Sequence, residues 1–225
     1  MRLHLIELIL FSTYAELRAE RARSYLGLLW WIVEPAMNMG VYYLVFAVIF
    51  NMGGPDYVAF LLVGLTLWQW FKSCISHGGY SIWQQLPLIR QVKLPLHVFP
   101  SVQILADTVK FLCILAILLV VLWSTGYPPN AAYVALLPVL LVELVFVAAC
   151  TYVVAAVVPL VPDLRRWFAL NPIVELVDAG RGILMRGQWP DWLALGRVAL
   201  ISLALYAFGA WLIERLTPRY VKLPT

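Results

Sequence analysis

Charge is scarce in this sequence. Asp, Glu, Lys and Arg supply 12% of its 225 residues, about half the share of an ordinary soluble domain. So few charges cannot cover a water-soluble fold in which 63% of residues are hydrophobic and the mean hydropathy is +0.86. The expected solvent is therefore a bilayer. Cysteine is nearly absent: Cys74, Cys113 and Cys150 lie in apolar segments at no metal-ligand spacing and read as packed thiols. His4, His77 and His97 are scattered, so no metal site is expected. G-x-x-x-x-G-K-[ST], H-E-x-x-H, G-x-S-x-G and repeated C-x-x-C are all missing. No catalytic role follows, and ATP phosphates are not cradled by a P-loop in this chain. The net charge of +4 is spread over short clusters, which excludes a nucleic-acid patch. A signal peptide is also excluded, because Glu7 breaks the first apolar run and charges continue to Arg23.

Long apolar runs are what the sequence does have, and they predict an all-α integral membrane protein forming one domain over residues 1–225. Residues 1–25 predict an interfacial helix: Leu3, Ile6, Leu10, Tyr14 and Leu17 share one face, with Arg18, Arg21 and Arg23 at headgroup level. Clear spans are expected at about Trp30–Phe50, Tyr57–His77, Ser101–Trp123, Ala132–Val158 and Trp192–Ile213. The 51–56 and 125–130 loops lack Lys and Arg and should face out. Basic residues at 18–23, 90–93, 165–166 and 215–222 place both termini and two loops in the cytoplasm. The count then fails by one. Between Arg166 and Arg215 only one clear span is found, where two crossings are needed. The polar segment 167–190 carries Asn171, Pro172, Glu175, Asp178 and Arg181. Three charges near mid-membrane cost on the order of 8 kcal/mol, so it crosses only if other helices shield it.

Ionisable residues inside spans are functional candidates. Asp107 and Lys110 stand one turn apart and predict a structural pair. The Cβ of Lys72 points away from the nearer cytoplasmic surface, which predicts a cavity or a partner helix beside it. Glu143 has no charge at i±3 or i±4; it is either a functional carboxyl or a hydrogen-bonded packing residue. Tyr42, Tyr43, Trp68, Trp70 and Phe71 lie deep in the spans and suit sugar stacking or lipid contact equally. Trp30, Trp31, Trp189 and Trp192 fit interfacial belts.

The stretch PLIRQVKLP, residues 87–95, is bracketed by Pro87 and Pro95. It predicts a helix of about two turns. Leu88 and Val92 share one face, and Ile89 and Lys93 the next; Arg90 and Gln91 complete a polar rim. A topogenic basic loop is the plainer reading of the same residues.

Three stretches resemble permease subunits of the type-two ABC exporters of polysaccharide. RARSYLGLLWWIVEP (21–35) resembles the lead into the first span, with Arg23, Leu26-Gly27, Trp30 and Glu34-Pro35 at the motif positions; the Glu-Pro form is most like capsular-polysaccharide members. PLIRQVKLPLHVFP (87–100) resembles the cytoplasmic loop, and LNPIVELVDAGRGILMRG (170–187) the Asn-Pro segment with its downstream Arg, here Arg181. The resemblance implies a homodimer with two ATPase subunits that carry ATP and Mg. It implies a bacterial inner-membrane location and export of a lipid-anchored glycan through a channel at the dimer interface, with a periplasmic capsule-export adaptor as a further partner.

On that reading the 84–100 loop is the coupling element, with Leu88, Ile89, Arg90, Gln91, Val92 and Lys93 meeting the ATPase. Arg18, Arg21, Arg23, Trp30 and Trp31 form the entrance for the anchor's phosphates, or else hold the first helix on anionic lipid. Tyr42, Tyr43, Trp68, Trp70, Phe71, Lys72, Glu143 and Arg181 are the channel candidates. Family members have six spans, with another span and short re-entrant helices between the loop after span four and the Asn-Pro segment. Here Arg166 and Asn171 nearly touch in sequence, so one span is expected to be absent. Alternatives are a same-class exporter of a drug or lipid, an ATP-independent secondary transporter, for which no internal repeat speaks, and a structural or enzyme subunit.

Overall fold

The computed structural model describes residues 2–23, 56–91, 94–160 and 174–220, with seven single positions between 29 and 44. Most of the expected first span, including Trp30, Trp31, Tyr42 and Tyr43, therefore lies outside the described residues. So do Val92, Lys93, Arg165, Arg166, Asn171 and Pro172, and the side chains of Arg23, Arg90, Glu175 and Asp178.

Among the described residues the chain is helical throughout. The helices are α1 (Arg2–Arg23), α2 (Tyr57–Gln84), α3 (Leu86–Gln91), α4 (Val98–Ser124), α5 (Leu136–Val157), α6 (Val174–Arg186) and α7 (Trp192–Tyr220), with a 3₁₀ turn at Ala131–Ala135. Four of them are long and apolar enough to cross a membrane: 59–84, 98–124, 131–157 and 192–218. They correspond to the second to fifth expected spans.

Local chemistry sets the helix ends. Gly126, at φ 102°, closes α4, and the Tyr127 amide donates back to the Leu122 carbonyl. Only glycine adopts that conformation freely. The Asn130 side chain accepts from the Ala132 amide and starts the 3₁₀ turn. Asp191 accepts from the amides of Leu193 and Ala194 and starts α7.

Helix α2 is the central element. It packs against α4, α5 and α6, while α7 packs on α5 and α1 on α4. Two apolar clusters hold the bundle. One joins Val63, Leu67, Trp70 and Phe71 to Leu115, Leu122, Val139, Phe146, Ile183 and Leu184, towards the predicted outer end. The other joins Ile82, Leu86, Ile89, Leu96, Tyr152, Ala156 and Ile213 at the predicted cytoplasmic end. Small residues bring the helices close there. A Cβ on Gly79 would stand 2.6 Å from Val154, and one on Gly209 would stand 2.9 Å from Tyr152.

α1 turns Ile6, Leu10, Phe11 and Tyr14 away from the protein, and buries Thr13. The outward residues include three of the five that define the expected interfacial face. Trp189 and Trp192 are both exposed at the start of α7, with ring centroids 6.4 Å apart.

The described residues on either side of the missing crossing lie at opposite ends of the bundle. Val158, at the end of α5, lines a cavity with Gln84, at the end of α2. Gly187, just past α6, lies against Asn130 at the opposite end. The chain thus passes from one end to the other between residues 160 and 187. α6 has 13 residues, so it is about 20 Å long, too short to span alone. It packs against α2, α5 and the 3₁₀ turn.

Candidate functional site

The short helix between α2 and α4 forms as expected, over Leu86–Gln91. Its faces differ sharply. Leu86 and Ile89 are 8% exposed and belong to the cluster with Ile82, Leu96 and Ile213. Leu88 is 39% exposed on the other face, beside exposed Pro87 and Gln91. An apolar knob thus projects from a helix anchored on its opposite side. The following His97 ties this loop to two more helices. Its Nε2 lies 3.3 Å from Glu214 of α7, and its ring stacks at 6.1 Å on Tyr152 of α5. The Tyr152 hydroxyl is hydrogen-bonded to Ser101 at 2.6 Å.

A second constellation lies between α1, α2 and α4. Asp107 is 2% exposed. Lys110 donates to it at 2.7 Å, across the expected i, i+3 spacing, and His77 Nδ1 donates to its other oxygen at 2.9 Å. Lys110 also donates to Glu20 of α1 at 2.9 Å. The result is a chain, Glu20–Lys110–Asp107–His77, that fastens α1 and α2 to α4. His77 and Glu20 were not legible as partners. They stand 30 and 90 residues from the groups they bind, and no local spacing announces such a meeting.

The channel candidates separate into two sets. Trp70 stacks on Phe111 at 4.1 Å and donates to Thr108 at 3.3 Å, and Phe71 stacks on Phe146 at 5.9 Å. Both are buried inside the protomer. Trp68 and Lys72 are exposed on the other side of α2, in line with Ser76. Glu143 is fully buried, and neither of its oxygens has a hydrogen-bond partner among the described residues. Arg181 lies in a notch on α2. Its Nε donates to the Phe60 carbonyl at 3.2 Å and its guanidinium sits 3.7 Å over the Phe60 ring. Gly64 makes the notch, since a Cβ there would lie 1.9 Å from the guanidinium. Arg181 thereby clamps α6 to α2. Arg18 and Arg21 point away from the bundle. At the outer end the exposed Tyr127 hydroxyl donates to Asp56, and that bond raises the phenol pKa above its usual value.

No groups that could hold a metal ion occur among the described residues.

No family model matches the chain. It is 28% identical over 228 positions to the O-antigen export system permease protein RfbA of Myxococcus xanthus, the match covering 88% of each chain. Those 228 positions outnumber the 225 residues here, so the relative has residues without a counterpart in this chain. Two Klebsiella pneumoniae proteins of the same description are 26% and 24% identical over 169 positions, 75% of this chain and 65% of theirs. The chain thus spans less than two thirds of those relatives' length. It is a multi-pass membrane protein similar, along most of its length, to O-antigen export permeases.

Proposed function

We propose that the chain is the membrane-spanning subunit of an ATP-driven exporter of a lipid-anchored polysaccharide. The relatives' descriptions favour an O-antigen-type glycan over the capsular glycan suggested by Glu34-Pro35. Similarity over 88% of the chain to an O-antigen export permease carries this reading. This sequence holds no P-loop, so on this reading ATP and Mg are bound by a partner ATPase subunit.

Helix α3 is the contact for that ATPase. Leu88, at 39% exposure on a helix anchored through Ile89, is the knob that a groove in the ATPase receives. Arg90, Gln91, Val92 and Lys93 continue the contact. Two copies of the chain form the transport unit. Lys72 and Trp68 are exposed at span depth, and an ammonium facing lipid there costs on the order of 3 kcal/mol. A water-filled path at the subunit interface removes that cost and gives the glycan an aromatic wall. Both termini and α3 face the cytoplasm of a bacterial inner membrane.

The test pairs two variants. Leu88→Asp is expected to abolish surface polysaccharide and co-purification of the ATPase while the protein level in the membrane stays normal. Ile89→Asp places a charge in the buried cluster and is expected to lower the protein level itself. Normal export with Leu88→Asp removes α3 as the coupling element. Unchanged surface polysaccharide after gene deletion, with lost resistance to a toxic small molecule, assigns the drug-export alternative instead.

A further inference from the structure

A cavity of about 580 Å³ opens between α1, α2, α4 and α5, at the end of the α2 line that runs from Trp68 and Lys72 to Ser76. Gln84 and Val158, at the ends of α2 and α5, line it, so it reaches the predicted cytoplasmic membrane surface. Its size falls in the range of small-molecule sites and far exceeds a single ion. Its wall is polar. Glu16 and Glu20 come from one face of α1, Ser76, His77, Tyr80 and Gln84 from α2, and Gln103 and Lys110 from α4.

The charge balance selects the ligand. Lys110 is engaged by two carboxylates, Asp107 and Glu20, and His77 by Asp107. Even with His77 protonated, three carboxylates (Glu16, Glu20, Asp107) face two cations. Among its described lining residues, a phosphate or other anion finds no uncommitted cation and two repelling carboxylates. An ammonium finds carboxylates for charge-assisted hydrogen bonds, amide and hydroxyl oxygens as further acceptors, and the Tyr80 ring for a cation–π contact. Glu16 makes no ion pair among the described residues, so its charge is left for a ligand. We propose that this cavity binds a primary ammonium group. Two sources present one at this level: the headgroup of phosphatidylethanolamine and a soluble polyamine. Binding would brace α1 against the spans, and it does not depend on which cargo the protein exports.

The test uses the purified full chain in vesicles of phosphatidylcholine and phosphatidylglycerol, with unfolding followed by tryptophan fluorescence. Phosphatidylcholine offers no N–H donor and serves as the reference. Replacing a third of it by phosphatidylethanolamine is expected to raise the Tm of the wild type by about 3 °C. In Glu16→Gln the rise should fall by at least half, and in Glu16→Asp it should partly return. Spermidine added to vesicles without phosphatidylethanolamine is the second arm. A Glu16-dependent rise with the lipid alone assigns the headgroup, and one with spermidine alone assigns the polyamine. The proposal is overturned if neither raises the Tm, or if the rise is the same size in Glu16→Gln.

Discussion

Among the described residues two acidic side chains are buried within the spans, and the protein treats them oppositely. Asp107 on α4 is 2% exposed and holds two partners, Lys110 and His77. Glu143 on α5 is fully buried, and both its oxygens lack a hydrogen bond among the described residues. A buried polar group without a partner is destabilising, whereas a partnered one is held in place by the groups it holds. Asp107 is thus explained by structure alone, as the hinge-pin of three helices. Glu143 is not, and a residue that breaks a local rule without a visible gain is a candidate for function. The same depth in the bilayer therefore does not imply the same role.

The largest effect is expected from cutting the partnered site. Asp107→Ala leaves Lys110 and His77 without their shared acceptor. Breaking a buried pair costs about 3 kcal/mol at the lower end of the usual range, and that end applies because Glu20 still reaches Lys110 and His77 is half exposed. The expected outcome is a fall in Tm of the purified protein and in its level in the membrane. Tolerance of Asp107→Ala at unchanged Tm would erase the contrast between the two acids.

A change of opposite sign, and smaller, is expected at Glu143. Glu143→Leu replaces an unpartnered carboxyl with an apolar chain of similar size and is expected to stabilise by about 1–2 kcal/mol. Glu143→Gln keeps an unpaired polar group and should leave the Tm nearly unchanged. Polysaccharide export measured alongside sharpens the comparison. Export should fall in Glu143→Leu although the protein is more stable, the pattern of a residue kept for activity at the expense of stability.

The contrast also marks what the sequence could reveal. Asp107 and Lys110 were legible as a pair because one helical turn separates them, and the isolation of Glu143 was legible because no charge stands at i±3 or i±4. The four described spans and the short helix after Pro87 followed from length, hydropathy and proline placement. His77 and Glu20 were hidden, because their meeting with α4 depends on how helices distant in sequence dock. The docking of α6 on α2 was hidden for a related reason. A 13-residue helix leaves no span-length apolar window, and its Arg181 is tolerable only because Gly64 and the Phe60 carbonyl on α2 receive it. Composition alone counts that arginine as a barrier to crossing. Of the channel candidates, the sequence could not tell Trp70 and Phe71, buried within the protomer, from Trp68 and Lys72, exposed on it, since all four sit on one helix at neighbouring positions.

The smallest effect is expected at the far end of the Asp107 chain. The Glu20 side chain is 41% exposed, so solvent weakens its pair with Lys110. Glu20→Gln should cost about 0.5 kcal/mol and barely move the Tm. Its consequence is local, because Glu20–Lys110 is the ion pair by which α1 is fastened to α4 among the described residues. Amide hydrogen exchange should therefore quicken along 13–23 of α1 while α4 exchanges as before. If α4 loosens together with α1, Asp107 does not hold Lys110 independently, and the chain is one cooperative unit rather than a firm core with a light outer clasp.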